Sequence, residues 1–260
     1  MRVTPFMILW ETLTPVARWL LIMWLLEMIS VPVITWLSSE RARLQGIKLG
    51  VILQAGVVIA IAVQDWGAVQ TLKIALVVAV LTWTIEFAGS RTGIPFGAYH
   101  YTDRLRPQLG GVPILIPLAW LMMLPPAWAV AETTLHLLPP LHDSRIAFVL
   151  VSALTFTVWD LFLDPQMVKW QLWVWDGPSS GGYFGIPWTN YAGWFLCAAA
   201  LTAVLSPPSV SPAPMVAIYG LTWFLESVGQ IAFWGLPGPG LVGAISMGAF
   251  FVSALISLST

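Results

Sequence analysis

Charge and cysteine are the two things this chain has least of. Only 9% of its 260 residues are Asp, Glu, Lys or Arg, where a water-facing domain carries roughly 25%. So little polar surface excludes an ordinary soluble domain. The formal net charge of -1 and the sequence pI near 6.3 come with no basic tract, which excludes nucleic acid as a partner. A single cysteine, Cys197 in an apolar run, excludes a disulfide framework and a cysteine-built metal cluster. Its plain reading is a small buried apolar residue. The three histidines, His100, His136 and His142, lack the HxxH-type spacing of a di-iron site, and no DDxxD-type clusters offer magnesium a diphosphate partner. No GxGxxG follows a strand, so a bound dinucleotide is not expected. No Ser or Cys stands beside a base in a recognisable nucleophile motif. We expect neither a metal nor a cofactor.

What is present is apolar. The chain is 58% hydrophobic with a mean hydropathy of +0.83. A helix needs about 20 apolar residues to cross a ~30 Å hydrocarbon core. That length predicts spans at Val16–Leu37, Leu49–Gln64, Val69–Gly89, Val112–Ala131, Ile146–Leu163, Trp188–Leu205, Ala213–Trp234 and Gly240–Leu258. The expected fold is an all-α, polytopic membrane helix bundle of eight spans, seven being the rival count. It forms one membrane domain over residues 1–260, with two polar re-entrant or interfacial loops on one side. Pro113, Pro117, Pro125 and Pro126 predict a kinked or broken fourth span. Phe6–Trp10 is too short for a signal-peptide core and is closed by Glu11, so no cleaved leader is expected.

Seven basic residues (Arg41, Arg43, Lys48, Arg91, Arg104, Arg106 and Lys169) fall on one side, against Arg2, Arg18, Lys73 and Arg145 on the other. The positive-inside rule then places the Arg91 and Lys169 loops in the cytoplasm and the protein in the inner, cytoplasmic membrane. Many of the 16 Trp lie near span ends, as an aromatic belt does.

Against this background the stretch Thr82–Thr102, TWTIEFAGSRTGIPFGAYHYT, stands out: an acid, Glu86, closes an apolar helix that opens into glycines, Tyr99, His100 and Tyr101. T-W-x-x-E-x-x-G occurs here and again around Glu226, with a weaker echo, Trp24-x-x-Glu27-x-x-Ser30, in the first span. Trp three residues before Glu shares its helical face. All three copies lie on odd-numbered spans, which run in one direction. Asp160, beside Trp159, and Asp164 end the fifth span, also odd, four residues apart on one face before Pro165. An intramembrane carboxyl costs roughly 2.5–3.5 kcal/mol on the lenient scale. Without a cationic partner it keeps its proton, which makes it a general acid in waiting or a structural bond to a helix carbonyl. The second polar loop begins at Asp160. QLWVW and GYFGI flank DGPSSGG and read as a short hairpin, and GIP recurs at Gly93–Pro95 and Gly185–Pro187. Asn190 and Tyr191 then enter the sixth span, where Asn190 either holds a water or caps the helix.

These residues resemble the CruF-type carotenoid biosynthesis membrane proteins, the carotenoid 1',2'-hydratases. The resemblance rests on Glu86 followed by GIPFGAYHYT, on VPILIPLAW at Val112–Trp120, on DLFLDP at Asp160–Pro165 and on GYFGIPWTNYAGW at Gly182–Trp194. It covers roughly residues 82–194. It implies a hydro-lyase that adds water across the terminal C1'–C2' double bond of an acyclic carotenoid end, of the γ-carotene, lycopene or bisanhydrobacterioruberin type, giving a tertiary alcohol. Its partners would be a long apolar carotenoid, water and lipid. The expected catalytic residues are Asp160 or Glu86 as the acid, with Asp164 in support. Tyr99, Tyr101, Trp159 and Asn190 are expected to line the end-group pocket. Trp83, Trp120, Tyr183 and Glu226 are further substrate-binding candidates. The alternatives are another proton-initiated isoprenoid enzyme, such as a lycopene cyclase, and a carotenoid-binding or transport protein.

Overall fold

The structure is a computed structural model and describes residues 10–37, 40–176 and 182–260. Among them are seven helical elements: α1 (Pro15–Leu37), α2 (Glu40–Thr92), α3 (Leu115–Leu135), α4 (Arg145–Lys169), α5 (Trp188–Leu205), α6 (Pro212–Val228, continued by a π-helical turn Gly229–Phe233) and α7 (Pro237–Ser259). Each of the eight expected spans is helical, two of them as arms of α2. Six elements are long and apolar enough to cross a membrane, α5 not being among the six.

The two arms of α2 meet at Gly67, whose φ of 77° and ψ of 160° break the helical path. A straight helix of 53 residues would hold its ends ~80 Å apart. Instead Glu40, at its start, bonds Arg104 in the loop just past its end, so the chain doubles back at Gly67. Glycine there is a physical requirement, because a positive φ strains any residue with a Cβ. The corner meets loops from the same end of the bundle: Trp66 donates to the Ser209 carbonyl at 2.9 Å and Ser211 N–H donates to Asp65 at 2.7 Å. At the opposite end Lys169 donates to the Trp234 carbonyl at 2.6 Å and Thr102 N–H donates to the Leu172 carbonyl at 3.0 Å. The helices therefore alternate in direction, with the two polar loops on one side.

Three details differ from expectation. The first arm of α2 begins at Glu40 rather than Leu49, because ERARLQ is built of good helix formers that extend the apolar segment outward. The proline-rich fourth span is one unbroken helix, α3. Pro117 lies in its first turn, where the N–H has no intrahelical partner, and Pro113 precedes it in a strand. The helix also continues through Pro125 and Pro126. α3 is apolar nearly all round and the most buried of the six, as suits a central helix. Finally, QLWVW and GYFGI do not pair with each other. Trp173–Trp175 (β4) pairs antiparallel with Tyr99–Tyr101 (β1) from the first loop, and Gly182–Tyr183 (β5) pairs with Ile186–Pro187 (β6). The turn itself, residues 177–181, lies outside the described residues. A second small pairing joins Gln108–Leu109 (β2) to Val112–Pro113 (β3).

Candidate active site

The cross-loop ladder decides which side chains face the membrane interior. Its register sets Tyr99 opposite Trp175, His100 opposite Val174 and Tyr101 opposite Trp173. Successive strand residues point to opposite faces. Tyr99, Tyr101, Trp173 and Trp175 therefore share the inner face, and all four line one cavity. His100 points outward, 2.6 Å from Asp176. The lid is pinned by Phe96, whose ring fills the space where Gly89 and Gly193 lack side chains. A Cβ on either glycine would fall 2.8 Å from that ring.

Beneath the lid, carboxyls converge from two helices. Glu86, 3% exposed on the second arm of α2, accepts hydrogen bonds at Oε2 from the Tyr99 hydroxyl and from the Tyr101 hydroxyl, the latter at 2.7 Å. Burial first and the charge of Glu86 second hold both phenols well above their usual range, so the tyrosines keep their protons and act as donors. From α4 comes Asp164. Its Oδ1 accepts from the Trp173 indole at 2.7 Å and its Oδ2 accepts from the Asn190 amide. The same Asn190 nitrogen donates to Asp160 Oδ2 at 2.8 Å, which ties the two aspartates through one side chain at the start of α5. The second oxygen, Asp160 Oδ1, is buried without a hydrogen-bond partner among the described residues. None of these three carboxyls forms an ion pair among the described residues.

The remaining wall is aromatic. Trp120 from α3 stacks on Trp194 from α5, centroids 4.7 Å apart at 17°, with Phe156 against both. Both tryptophans border the cavity, with Ile116, Ala119 and Leu163 completing an apolar floor.

Of the residues picked from sequence, Glu86, Asp164, Tyr99, Tyr101, Trp120 and Asn190 line this one cavity, and Asp160 stands directly behind Asn190. Four others are not brought to it. The Trp83 indole donates to the Leu109 carbonyl at 3.2 Å, away from the cavity. The Tyr183 hydroxyl donates to the Leu161 carbonyl at 3.2 Å, and its ring packs on Tyr191. Trp159 and Glu226 line a neighbouring cavity instead. Sequence reading passed over Trp173, Trp175, Trp194 and Phe96. In a chain with 16 tryptophans they blended into the belt. The alternation W-V-W was the available signal for the first two.

The fold and the site together define a class: a polytopic membrane helix bundle with uncompensated carboxyls gathered under an aromatic lid. The chain belongs to the family described as "Carotenoid biosynthesis protein", which matches residues 46–247. A curated relative is bisanhydrobacterioruberin hydratase of Haloarcula japonica, 35% identical over 125 residues, which are 47% of this chain and 41% of that protein. The aligned region thus spans about 41% of the relative's length. No solved structure matches the chain.

Proposed function

We propose that this protein hydrates the terminal C1'–C2' double bond of an acyclic carotenoid end group, without a cofactor, at the cavity beneath the β1–β4 lid. The observation that carries the reading is the pairing of two differently served carboxyl sites across one aromatic cavity. Glu86 accepts two phenolic hydrogen bonds at Oε2, which hold that oxygen in place as an acceptor. Asp160 and Asp164 share one amide donor and have no cation, so a proton is the natural occupant of that pair. Membership of a carotenoid biosynthesis family and the likeness to a hydratase support the substrate and the reaction.

The aspartate pair delivers H⁺ to C2' through Asp164, the member that faces the cavity. The π electrons form the new C–H bond and leave a tertiary cation at C1'. The stacked Trp120 and Trp194 faces and the Trp173–Trp175 edge stabilise such a cation by ~2 kcal/mol or more in a desolvated site. A water molecule adds its oxygen lone pair to C1', and its surplus proton passes to Glu86. Return of one proton from Glu86 to the aspartates resets the site, so the net change is addition of water.

The test is conversion in cells that make the acyclic precursor, at matched protein level. Glu86→Gln, Asp160→Asn and Asp164→Asn are each expected to cut hydrated product by about 10²-fold or more. Wild-type conversion by all three variants would remove the carboxyl chemistry from this cavity.

A further inference from the structure

The cavity beneath the lid is small, bounded by the lid aromatics, Glu86, Asp164 and the Trp120–Trp194 pair. It does not hold a rod-shaped polyene whose length approaches the ~30 Å hydrocarbon core, so the remainder of such a molecule needs another seat. Two further spaces are linked to the site through shared lining residues. The first is a cavity that has Leu163 in common with the site. Its walls include Trp159, Trp170 and Trp234 together with Met28, Met122 and Met167, flat rings and adaptable thioethers suited to a conjugated chain. The second is an open cleft between α1 and the first arm of α2, which shares Gly46 with the middle cavity.

Gly46 and Gly50 let α1 and α2 approach at this junction. A Cβ on Gly50 would fall 2.9 Å from Glu27 Oε2, and one on Gly46 would fall 3.3 Å from Glu27 Oε1. The Glu27 carboxyl itself is buried with neither oxygen partnered among the described residues. The W-x-x-E recurrence also gains a spatial meaning. Glu86 lines the site cavity, Glu226 the middle cavity and Glu27 the cleft, one glutamate of the recurrence in each space. The outer surface of α1 beside the cleft carries exposed Met23, Leu26, Ile29 and Val33, a face suited to lipid.

We infer that the three spaces form one channel that seats the polyene chain of the substrate, with Leu163 as the constriction next to the reacting end and the α1–α2 cleft as the lateral entrance from the bilayer. This extends the hydratase reading and rests on it for the identity of the occupant. Continuity with the candidate site favours the substrate's own chain over a membrane lipid.

The experiment uses the full-length protein in lipid nanodiscs and two probes that share an acyclic isoprenoid end: lycopene, and a short acyclic isoprenoid hydrocarbon. Val51→Trp, which places an indole in the middle cavity, is expected to lower conversion of lycopene about tenfold more than conversion of the short probe. An equal effect on both probes overturns the channel. A second measurement does not need turnover. Met167→Cys in a Cys197→Ala background puts one thiol on the middle cavity, read by its labelling rate with a membrane-permeant maleimide. Lycopene is expected to slow labelling about fivefold or more and the short probe to leave it unchanged. Protection by both probes, by neither, or equally by phospholipid alone overturns the proposal. Protection by lycopene in a protein that hydrates neither probe supports the seat and rejects the hydratase reading.

Discussion

The carboxyls of the site are held by donors from the two strands of the lid and from α5, so single substitutions separate their roles. Glu86 depends on Tyr99 and Tyr101. Tyr99→Phe and Tyr101→Phe are each expected to reduce turnover about tenfold, the size of one lost hydrogen bond to a charged group. The double variant should approach Glu86→Gln, and steady-state conversion of an acyclic carotenoid measures all three. Asn190 serves two carboxylates at once. Asn190→Leu strands both, and loss of a buried polar partner costs ~1–3 kcal/mol or more, so a lower unfolding temperature in detergent accompanies lost activity. Sequence made the acids and their tyrosines legible because polar residues are scarce in a chain with 9% charge. Trp83 was drawn in by its spacing from Glu86. In the structure the Trp83 indole is taken up instead by the Leu109 carbonyl.

Helices were readable one at a time, because hydrophobic length is a local property. The corner at Gly67 falls in the gap between two predicted spans, where Gln64, Asp65 and Gly67 interrupt the apolar run. The lid was not readable in the same way. Its ladder joins residues more than seventy positions apart, and a local rule favoured the nearer partner for QLWVW. What fixes the lid is Phe96, seated between Gly89 of α2 and Gly193 of α5. Gly193→Ala brings a methyl group 2.8 Å from the Phe96 ring and 2.9 Å from the Pro95 carbonyl oxygen, and backbone cannot yield as a flexible side chain does. Overpacking of this kind costs typically ~1–3 kcal/mol. The variant should show faster proteolysis within residues 92–112 and a lower unfolding temperature. An unchanged cleavage rate would mean that Phe96 does not anchor the lid.

On the scale of the whole molecule, alternating helices bring every functional loop to one side, the side that also carries Arg41, Arg43, Arg91, Arg104 and Arg106. The positive-inside rule then predicts a cytoplasmic site. An introduced thiol at exposed Asp103 should be blocked by an impermeant maleimide only after the cells are opened, and labelling of intact cells would reverse the orientation. The aromatic lid covers the site on this side, and the proposed channel leads from it into the apolar space beside Leu163. The central claim is that water becomes part of the product. Incubating the protein in nanodiscs with an acyclic carotenoid in oxygen-18 water tests it directly by mass spectrometry. The account predicts a product heavier by one water per reacted end, with the label in a tertiary alcohol, and its loss in Asp164→Asn. A product of unchanged mass, as cyclisation would give, or an unlabelled alcohol, contradicts it.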